Sequence, residues 1–211
     1  MLNSKLLFVI LIGSFIFTGC TYKNDVLRKE LGSYRNYIDI TGTIKNEIYT
    51  SPNNVFSFKV PSLVKPGARI KDYINKDYNG GISFTDDIGK LTRVEYVKKT
   101  IIPLKNDKEI VKNAGNFLYN SMYKPTGFDV KLLHSEIINN KLFVIFDFPN
   151  GSTLFINNKR TNAIRGSVCF IKNDNLFIIT KQSSESLLTG SEYNNISRMI
   201  KMLQNDLKGF N

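Results

Sequence analysis

The chain has 211 residues, a formal net charge of +11, 42% hydrophobic and 22% charged residues. This composition is typical of a globular protein and excludes a disordered, collagen-like or coiled-coil chain. A single His excludes a multi-histidine metal site, and two Cys exclude a disulfide-dense scaffold. The length suits one domain with a sizeable core.

The first twenty residues have the pattern of a secretory signal. Lys5 precedes an apolar run over residues 6–17, which is shorter than the roughly 20 residues of a membrane-spanning helix. The run leads into Phe17-Thr18-Gly19-Cys20, which resembles the bacterial lipobox, with Phe17 where Leu is usual. The resemblance implies that residues 1–19 are a signal peptide and that the Cys20 thiol is acylated, for instance with palmitate. An ordinary signal peptide or an N-terminal anchor is the alternative.

Acylation at Cys20 would anchor the chain to a membrane, because two or more acyl chains give stable binding. Thr21 follows in place of the Asp that resembles an inner-membrane retention signal, which favours the outer membrane facing the periplasm if the source is Gram-negative. We predict that residues 20–46, which are polar and mixed, form a tether with a helical part over 26–37. The other thiol, Cys169, lies in an apolar run and is predicted to be buried and inert.

A single folded domain is predicted over residues 47–211. Strands 48–50 and 55–60 flank the turn sequence Ser51-Pro52-Asn53-Asn54, and strands 82–85 and 91–97 flank residues 86–89. A further short strand is expected over 68–74. Asn106 is in position to cap a helix with apolar residues at helical spacing, which ends near Gly127.

The second half of the domain repeats this order of strands and a helix. Strands 131–138 and 141–148 flank Asn139-Asn140, strands 165–172 and 176–181 flank residues 173–175, and a short strand over 153–156 lies between. A closing helix ends at Gly209. Residues 142–146 are apolar throughout, which is typical of a central strand covered on both faces. The predicted fold class is α+β, an antiparallel sheet with an amphipathic helix on each face.

Residues 47–209 resemble the PsbP-like fold, that of the extrinsic subunit of the photosynthetic oxygen-evolving complex and of a Ran-binding nuclear protein. The resemblance rests on the element order, on Tyr49-Thr50-Ser51-Pro52, on Phe56-Ser57-Phe58-Lys59-Val60-Pro61 and on the closing helix. Members of that fold are mostly non-catalytic binding or assembly proteins, so the resemblance implies such a role, although a fold does not fix function.

The sequence contains no recognisable catalytic motif, neither a Gly-x-Ser-x-Gly elbow, nor a phosphate loop, nor His-Glu-x-x-His. His134 is predicted to be a surface or capping residue on a strand. Asp86-Asp87 and Asn173-Asp174-Asn175 are turn sequences without the ligand spacing of a calcium loop. Glu185 and Glu192 flank a helix start, where carboxylates help to cap. We expect no enzymatic activity, no metal and no other cofactor.

The basic surplus predicts attraction to anions. Five lysines cluster around the start of the first helix: Lys98, Lys99, Lys105, Lys108 and Lys112. Lys159, Arg160 and Arg165 form a second group, which we place in a loop. Nucleic acid is not an expected partner outside the cytoplasm, whereas anionic lipid, lipopolysaccharide phosphates or an acidic protein are available there. A solvated basic face without a specific partner is the alternative.

These observations predict a membrane-anchored envelope lipoprotein that acts as a non-catalytic adaptor or assembly factor for an envelope complex. A lipid or lipopolysaccharide carrier and an envelope hydrolase with a site formed by distant residues are the alternatives. A deep pocket with His134 and an acidic side chain would favour the hydrolase. An apolar tunnel would favour the carrier, and a filled core with a basic or aromatic patch the adaptor.

Overall fold

The computed structural model describes residues 37–61, 69–75, 79–85, 90–127, 129–149, 155–156, 159–160, 162–184 and 192–211. The strands in chain order are β1 (Tyr37–Asp39), β2 (Thr43–Lys45), β3 (Ile48–Thr50), β4 (Ser57–Lys59), β5 (Arg69–Asn75), β6 (Asn79–Thr85), β7 (Leu91–Lys98), β8 (Lys131–Ile138), β9 (Lys141–Phe148), β10 (Phe155–Ile156), β11 (Lys159–Arg160), β12 (Ala163–Lys172) and β13 (Asn175–Ser184). The helices are α1 (Asp107–Phe117), after β7, and α2 (Glu192–Lys208), after β13.

The main sheet has eight strands in the order β1-β5-β6-β7-β13-β12-β9-β8. Its neighbours are antiparallel except for β1 and β5, which are parallel. A three-stranded sheet, β2-β3-β4, and the two-stranded ladder β10-β11 complete the described strands. The α+β class and the antiparallel pairing of the predicted hairpins are therefore confirmed.

The main sheet carries one amphipathic helix on each face, as the sequence predicts. Along β9, Leu142 and Val144 belong to the buried cluster that includes α1, whereas Phe143 and Ile145 belong to the cluster that includes α2. The alternation arises because successive side chains of a strand point to opposite faces of the sheet. β9 is covered on both faces as predicted, but it is not central, because it lies second from the β8 edge. An uninterrupted apolar run indicates that a strand is covered on both faces, but it does not indicate where the strand lies within the sheet.

Helix α2 packs directly against the backbone of β12. A Cβ atom at Gly166 would lie 2.3 Å from the Met199 Cγ atom, so only glycine permits this approach. The Lys181 Nζ atom lies 2.5 Å from Asp206 Oδ2, which joins α2 to β13 by a partly buried ion pair.

The predicted turn and cap residues adopt the expected conformations. Asn139 and Asn140 have φ angles of 49° and 59°, and Asn173 has 48°, as tight hairpins require. The Asn106 side chain accepts a hydrogen bond of 2.9 Å from the Lys108 amide at the start of α1. The helix continues through a π-helical turn, Leu118–Tyr123, and a 3₁₀ turn, Lys124–Thr126.

Residues 37–46 belong to the folded domain, so the predicted tether over 20–46 ends about ten residues too late. Strand β1 pairs with β5, β2 pairs with β3, and the Ile38 side chain is fully buried. The buried carboxylate of Asp72 accepts hydrogen bonds from the Thr41 amide, the Gly42 amide and the Tyr49 hydroxyl, each at 2.8 Å. Strand pairing in the main sheet and in the three-stranded sheet therefore holds this segment, together with the Asp72 side chain of β5.

Candidate functional site: a lysine-rich end of the sheet

The five lysines predicted around the first helix lie at one end of the main sheet. Lys98 ends β7 and pairs with Asn175. The Lys99 amide donates a hydrogen bond of 2.9 Å to the Asp174 carbonyl, and the Lys99 Nζ atom lies 2.5 Å from Asp107 Oδ1. These contacts hold the start of α1 beside the β12–β13 turn. Lys105, Lys108 and Lys112 are exposed on that side.

Three further lysines join this end from distant parts of the chain. Lys141 begins β9, Lys172 ends β12, and Lys208 ends α2. They line a common cleft beside the Asn139–Asn140 turn. We call the full set the basic end: Lys98, Lys99, Lys105, Lys108, Lys112, Lys141, Lys172 and Lys208. Sequence reasoning missed the last three because each is a single cation within an apolar or mixed segment.

Two clefts flank the β8–β9 turn at the basic end. The first, of about 620 Å³, has the rings of Phe143, Phe170 and Phe210 among its lining residues. The Lys172 Nζ atom lies 5.2 Å from the centre of the Phe210 ring, within cation–π range. The second cleft, of about 490 Å³, is lined partly by Lys108 and Lys112. Cations therefore border shallow, partly apolar depressions on both faces of the turn.

The charge at the basic end is largely uncompensated. The carboxylates of Asp107 and Asp174 act on one of its eight lysines, Lys99. The hydrogen bond to Asp107 raises the pKa of the Lys99 ammonium, so Lys99 stays charged in a paired state. Lys98, Lys105, Lys108 and Lys112 form no ion pair with any residue that the structure describes. Exposed cations in such numbers produce a positive local potential.

The second predicted basic group is not a loop cluster. Arg165 lies within β12, half-buried, and its Nε atom donates a hydrogen bond of 2.5 Å to Gln182 Oε1. Lys159 and Arg160 form the short strand β11, paired with Phe155 and Ile156, and their side chains lie outside what the structure describes. Strand β12 begins at Ala163, two residues before the predicted start at residue 165, so Arg165 lies inside the strand and not in the loop that precedes it.

His134 and Cys169 lie where the sequence places them. His134 is on the edge strand β8, with 30% of its side chain exposed and its Nε2 atom 3.4 Å from Glu136 Oε2. It lines neither cleft of the basic end. Cys169 is fully buried, and this burial raises the pKa of its thiol, which disfavours the reactive thiolate.

The remaining predicted positions are turn residues or lie outside the described parts. Asn173 and Asp174 form the β12–β13 turn. Cys20, Asp86, Asp87 and Glu185 lie outside the described residues. Glu192 begins α2. Within the described ranges, no group of three or more His, Cys, Asp or Glu side chains is arranged to hold a metal ion, and no helix is long and apolar enough to cross a membrane.

The N-terminal strand enters the domain at the end opposite to the basic end. Tyr37 pairs with Arg69, Arg69 pairs with Thr85, and Thr85 pairs with Leu91 at the start of β7. The basic end lies at the other end of β7, at Lys98. The chain that precedes Tyr37 therefore joins the domain on the side remote from the lysines.

The chain is similar to the solution structure of cyanobacterial PsbP from Synechocystis. The two share 11% sequence identity over 81% of this chain and 98% of that one, with a TM-score of 0.43. No family model matches the chain, and no curated protein matches it.

Proposed function

We propose that this chain is a lipoprotein, anchored through Cys20, whose domain is a non-catalytic adaptor for an envelope complex. The domain binds an acidic protein component of that complex through the basic end. The observation that carries the proposal is the convergence of eight lysines on one end of the sheet. They come from β7, the connection between β7 and α1, and from α1, β9, β12 and α2.

The packing between α2 and the sheet favours an adaptor over a carrier that would hold its ligand on this face. The rings of Phe170, Phe177 and Phe210 occupy the space near the C-terminal end of α2, with centroids 4.8–5.7 Å apart. Met199 and Leu203 of α2 are fully buried against the sheet. An apolar ligand between the sheet and α2 would have to displace these side chains. The edge position of His134 gives the hydrolase alternative no support.

The two ends of the domain suit attachment to two different structures. Sixteen residues separate Cys20 from Tyr37, a span of at most about 60 Å when fully extended. Because the chain joins the domain opposite the basic end, the basic end lies on the side of the domain that is remote from the point of attachment. This separation of attachment point and binding surface suits an adaptor.

Charge reversal tests the basic end. A Lys98→Glu/Lys108→Glu/Lys112→Glu variant changes exposed lysines that have no described ion pair, and it leaves the Lys99–Asp107 pair intact. Membranes from cells that express the wild type or the variant are chemically crosslinked, and the chain is immunoprecipitated. We expect an acidic protein with the wild type, its loss with the variant, and weakening of the complex by salt.

The control variant is Lys45→Glu/Lys124→Glu/Lys201→Glu, which makes the same change in net charge at exposed lysines elsewhere. It should retain the crosslinked partner. Equal loss in both variants would show that net charge, not the basic end, controls binding. Vesicles provide a second arm: the chain from Thr21 onwards is mixed with anionic or neutral phospholipid. Salt-sensitive binding to anionic vesicles, without any crosslinked protein, would assign the basic end to lipid instead.

A further inference from the structure

Among the described residues, apolar packing covers only part of the sheet face that bears α1. Helix α1 packs against β9 and β12 through Ile110, Val111 and Ala114. The same face of β5, β6 and β7 carries polar side chains instead: Lys71, Tyr73, Ser83, Arg93 and Glu95. Arg165 of β12 lies at the border between the two regions.

Arg165 is a half-buried cation without a counter-ion among the residues that the structure describes. Its guanidinium carbon lies 4.3 Å from the centre of the Phe148 ring and 5.6 Å from that of Tyr123. Its Nε atom bonds to the neutral Gln182 side chain, and no described carboxylate pairs with it. Burial lowers the pKa of Arg165, so the surroundings disfavour its charge. Buried charges in proteins are normally paired, because desolvation of an isolated ion is costly.

A second arginine faces the same region from across β13. Thr180 of β13 pairs with Arg93 on one side and with Ser167 on the other. The Arg93 side chain is 24% exposed, and its Nε atom lies 2.9 Å from Glu95 Oε2. The N–H bond is not aligned with that oxygen, so this buried donor has no hydrogen-bond acceptor among the described residues. Arg93 thus retains unused hydrogen-bonding capacity beside a second, unpaired guanidinium.

Three buried hydroxyl groups lie between the arginines. Ser167 and Thr180 are hydrogen-bonded at 2.9 Å, and the Tyr123 hydroxyl lies 3.5 Å from Ser167 Oγ. Hydroxyl groups can reorient to donate to an anion. The Arg165 fork is fixed by two rings and by Gln182, so it is preorganised for the parallel hydrogen bonds that an oxyanion accepts.

We propose that Arg165 and Arg93 form a binding site for a small oxyanion, a carboxylate or phosphate group. The bound anion neutralises the unpaired Arg165 guanidinium and accepts hydrogen bonds from it and from Arg93. The site is built from β7, β12 and β13, and it uses none of the lysines of the basic end. The existence of this site therefore does not depend on the proposed adaptor function.

The test is titration of the chain from Thr21 onwards, which contains every described residue, with inorganic phosphate and separately with acetate, at constant ionic strength. Calorimetry measures affinity, and the Nε–H resonances of the arginines in ¹⁵N-labelled protein report which side chains respond. We expect saturable binding of at least one anion with shifts of the Arg165 and Arg93 resonances. Preference for phosphate or for acetate identifies the ligand group.

The decisive variant is Arg165→Met, which keeps apolar contact with Phe148 and Tyr123 but removes the charge. We expect it to fold and to bind the anion at least about tenfold more weakly, because charge-assisted bidentate bonds are lost. Arg93→Gln should weaken binding as well, and it serves if the methionine variant does not fold. Lys45→Gln/Lys201→Gln, at exposed lysines outside both the basic end and this site, should leave the affinity unchanged. The proposal would be overturned if neither anion showed saturable binding. It would also be overturned if the Arg165 and Arg93 variants bound the anion as tightly as the wild type does.

Discussion

Substitution of Asp72 should detach the N-terminal segment from the sheet and destabilise the whole domain. The Asp72 side chain is buried, and its carboxylate accepts hydrogen bonds from the Thr41 amide and hydroxyl, the Gly42 amide and the Tyr49 hydroxyl. It joins β5 to residues about thirty positions earlier in the chain and to strand β3.

The magnitude follows from the partners that Asp72→Ala would leave unpaired. Tyr49 is 1% exposed, and its hydroxyl would remain buried without an acceptor, at a cost of about 1–3 kcal/mol. Hydrogen bonds to a charged acceptor are worth about 1.5–3 kcal/mol each when buried. Thr41 is exposed, so water replaces part of its contribution. We therefore expect the free energy of unfolding to fall by about 3–5 kcal/mol. Asp72→Asn, which keeps one acceptor oxygen, should cost less.

Urea denaturation followed by circular dichroism measures this loss, because the chain contains no Trp. Asp39→Ala is the matched control: this carboxylate is exposed and lies 3.8 Å from Lys71, so its loss should cost under about 1 kcal/mol. Hydrogen exchange at the Gly42 amide should accelerate in Asp72→Ala. Gly42 itself cannot be replaced in this geometry, since a Cβ atom there would lie 2.4 Å from the Thr50 carbonyl oxygen. A loss of stability no larger than that of Asp39→Ala would refute the reasoning.

Three other predictions concern the anchor, the core and pH. Cys20→Ser should abolish labelling of the chain by a clickable fatty acid, and equal label in wild type and variant would contradict a lipoprotein. Phe146 is 1% exposed and packs edge-on against Tyr123 at 5.0 Å; Phe146→Ala should therefore cost about 3–5 kcal/mol, and an unchanged melting temperature would contradict this packing. Burial raises the pKa of Asp206 above 3.8, with Lys181 opposing the shift. The folded state thus binds this proton more tightly than the unfolded state, so the stability of the wild type relative to Asp206→Asn should fall as the pH rises above 3.8 towards the folded pKa. A relative stability that rises over that interval, in urea titrations at stepped pH, would contradict the shift.

Local signals predicted most of the secondary structure. The hairpins formed where Asn-rich pairs adopt positive φ, and α1 began at Asn106, because such residues satisfy local backbone geometry whatever surrounds them. The uninterrupted apolar run over 142–146 likewise indicated that β9 is covered on both faces, and helical spacing identified the apolar side of α2. These features depend on neighbours within a few positions in the chain.

Features that depend on contacts between distant residues could not be predicted from the sequence. The alternation of Ile38, Asp39 and Ile40 is a strand signal, but three-residue strands are too short to stand out from a polar segment. Nothing near Asp72 in sequence indicates its partners at Thr41 and Tyr49. Arg165 was recognised as a cation, but its stacking on Phe148 depends on the β9–β12 register.

The two proposed anion-binding surfaces should differ in their response to salt, because their cations differ in exposure. Lysines at the basic end are mostly exposed, and physiological ionic strength screens such charges beyond about 8 Å. Binding there should weaken steeply as salt is added. Arg165 and Arg93 are half-buried and act over hydrogen-bond distances, where screening is less effective. Oxyanion binding should therefore persist at salt concentrations that release the partner from the basic end. Such a result would distinguish the Arg165–Arg93 site, which acts through short hydrogen bonds, from the basic end, which acts through attraction between exposed charges.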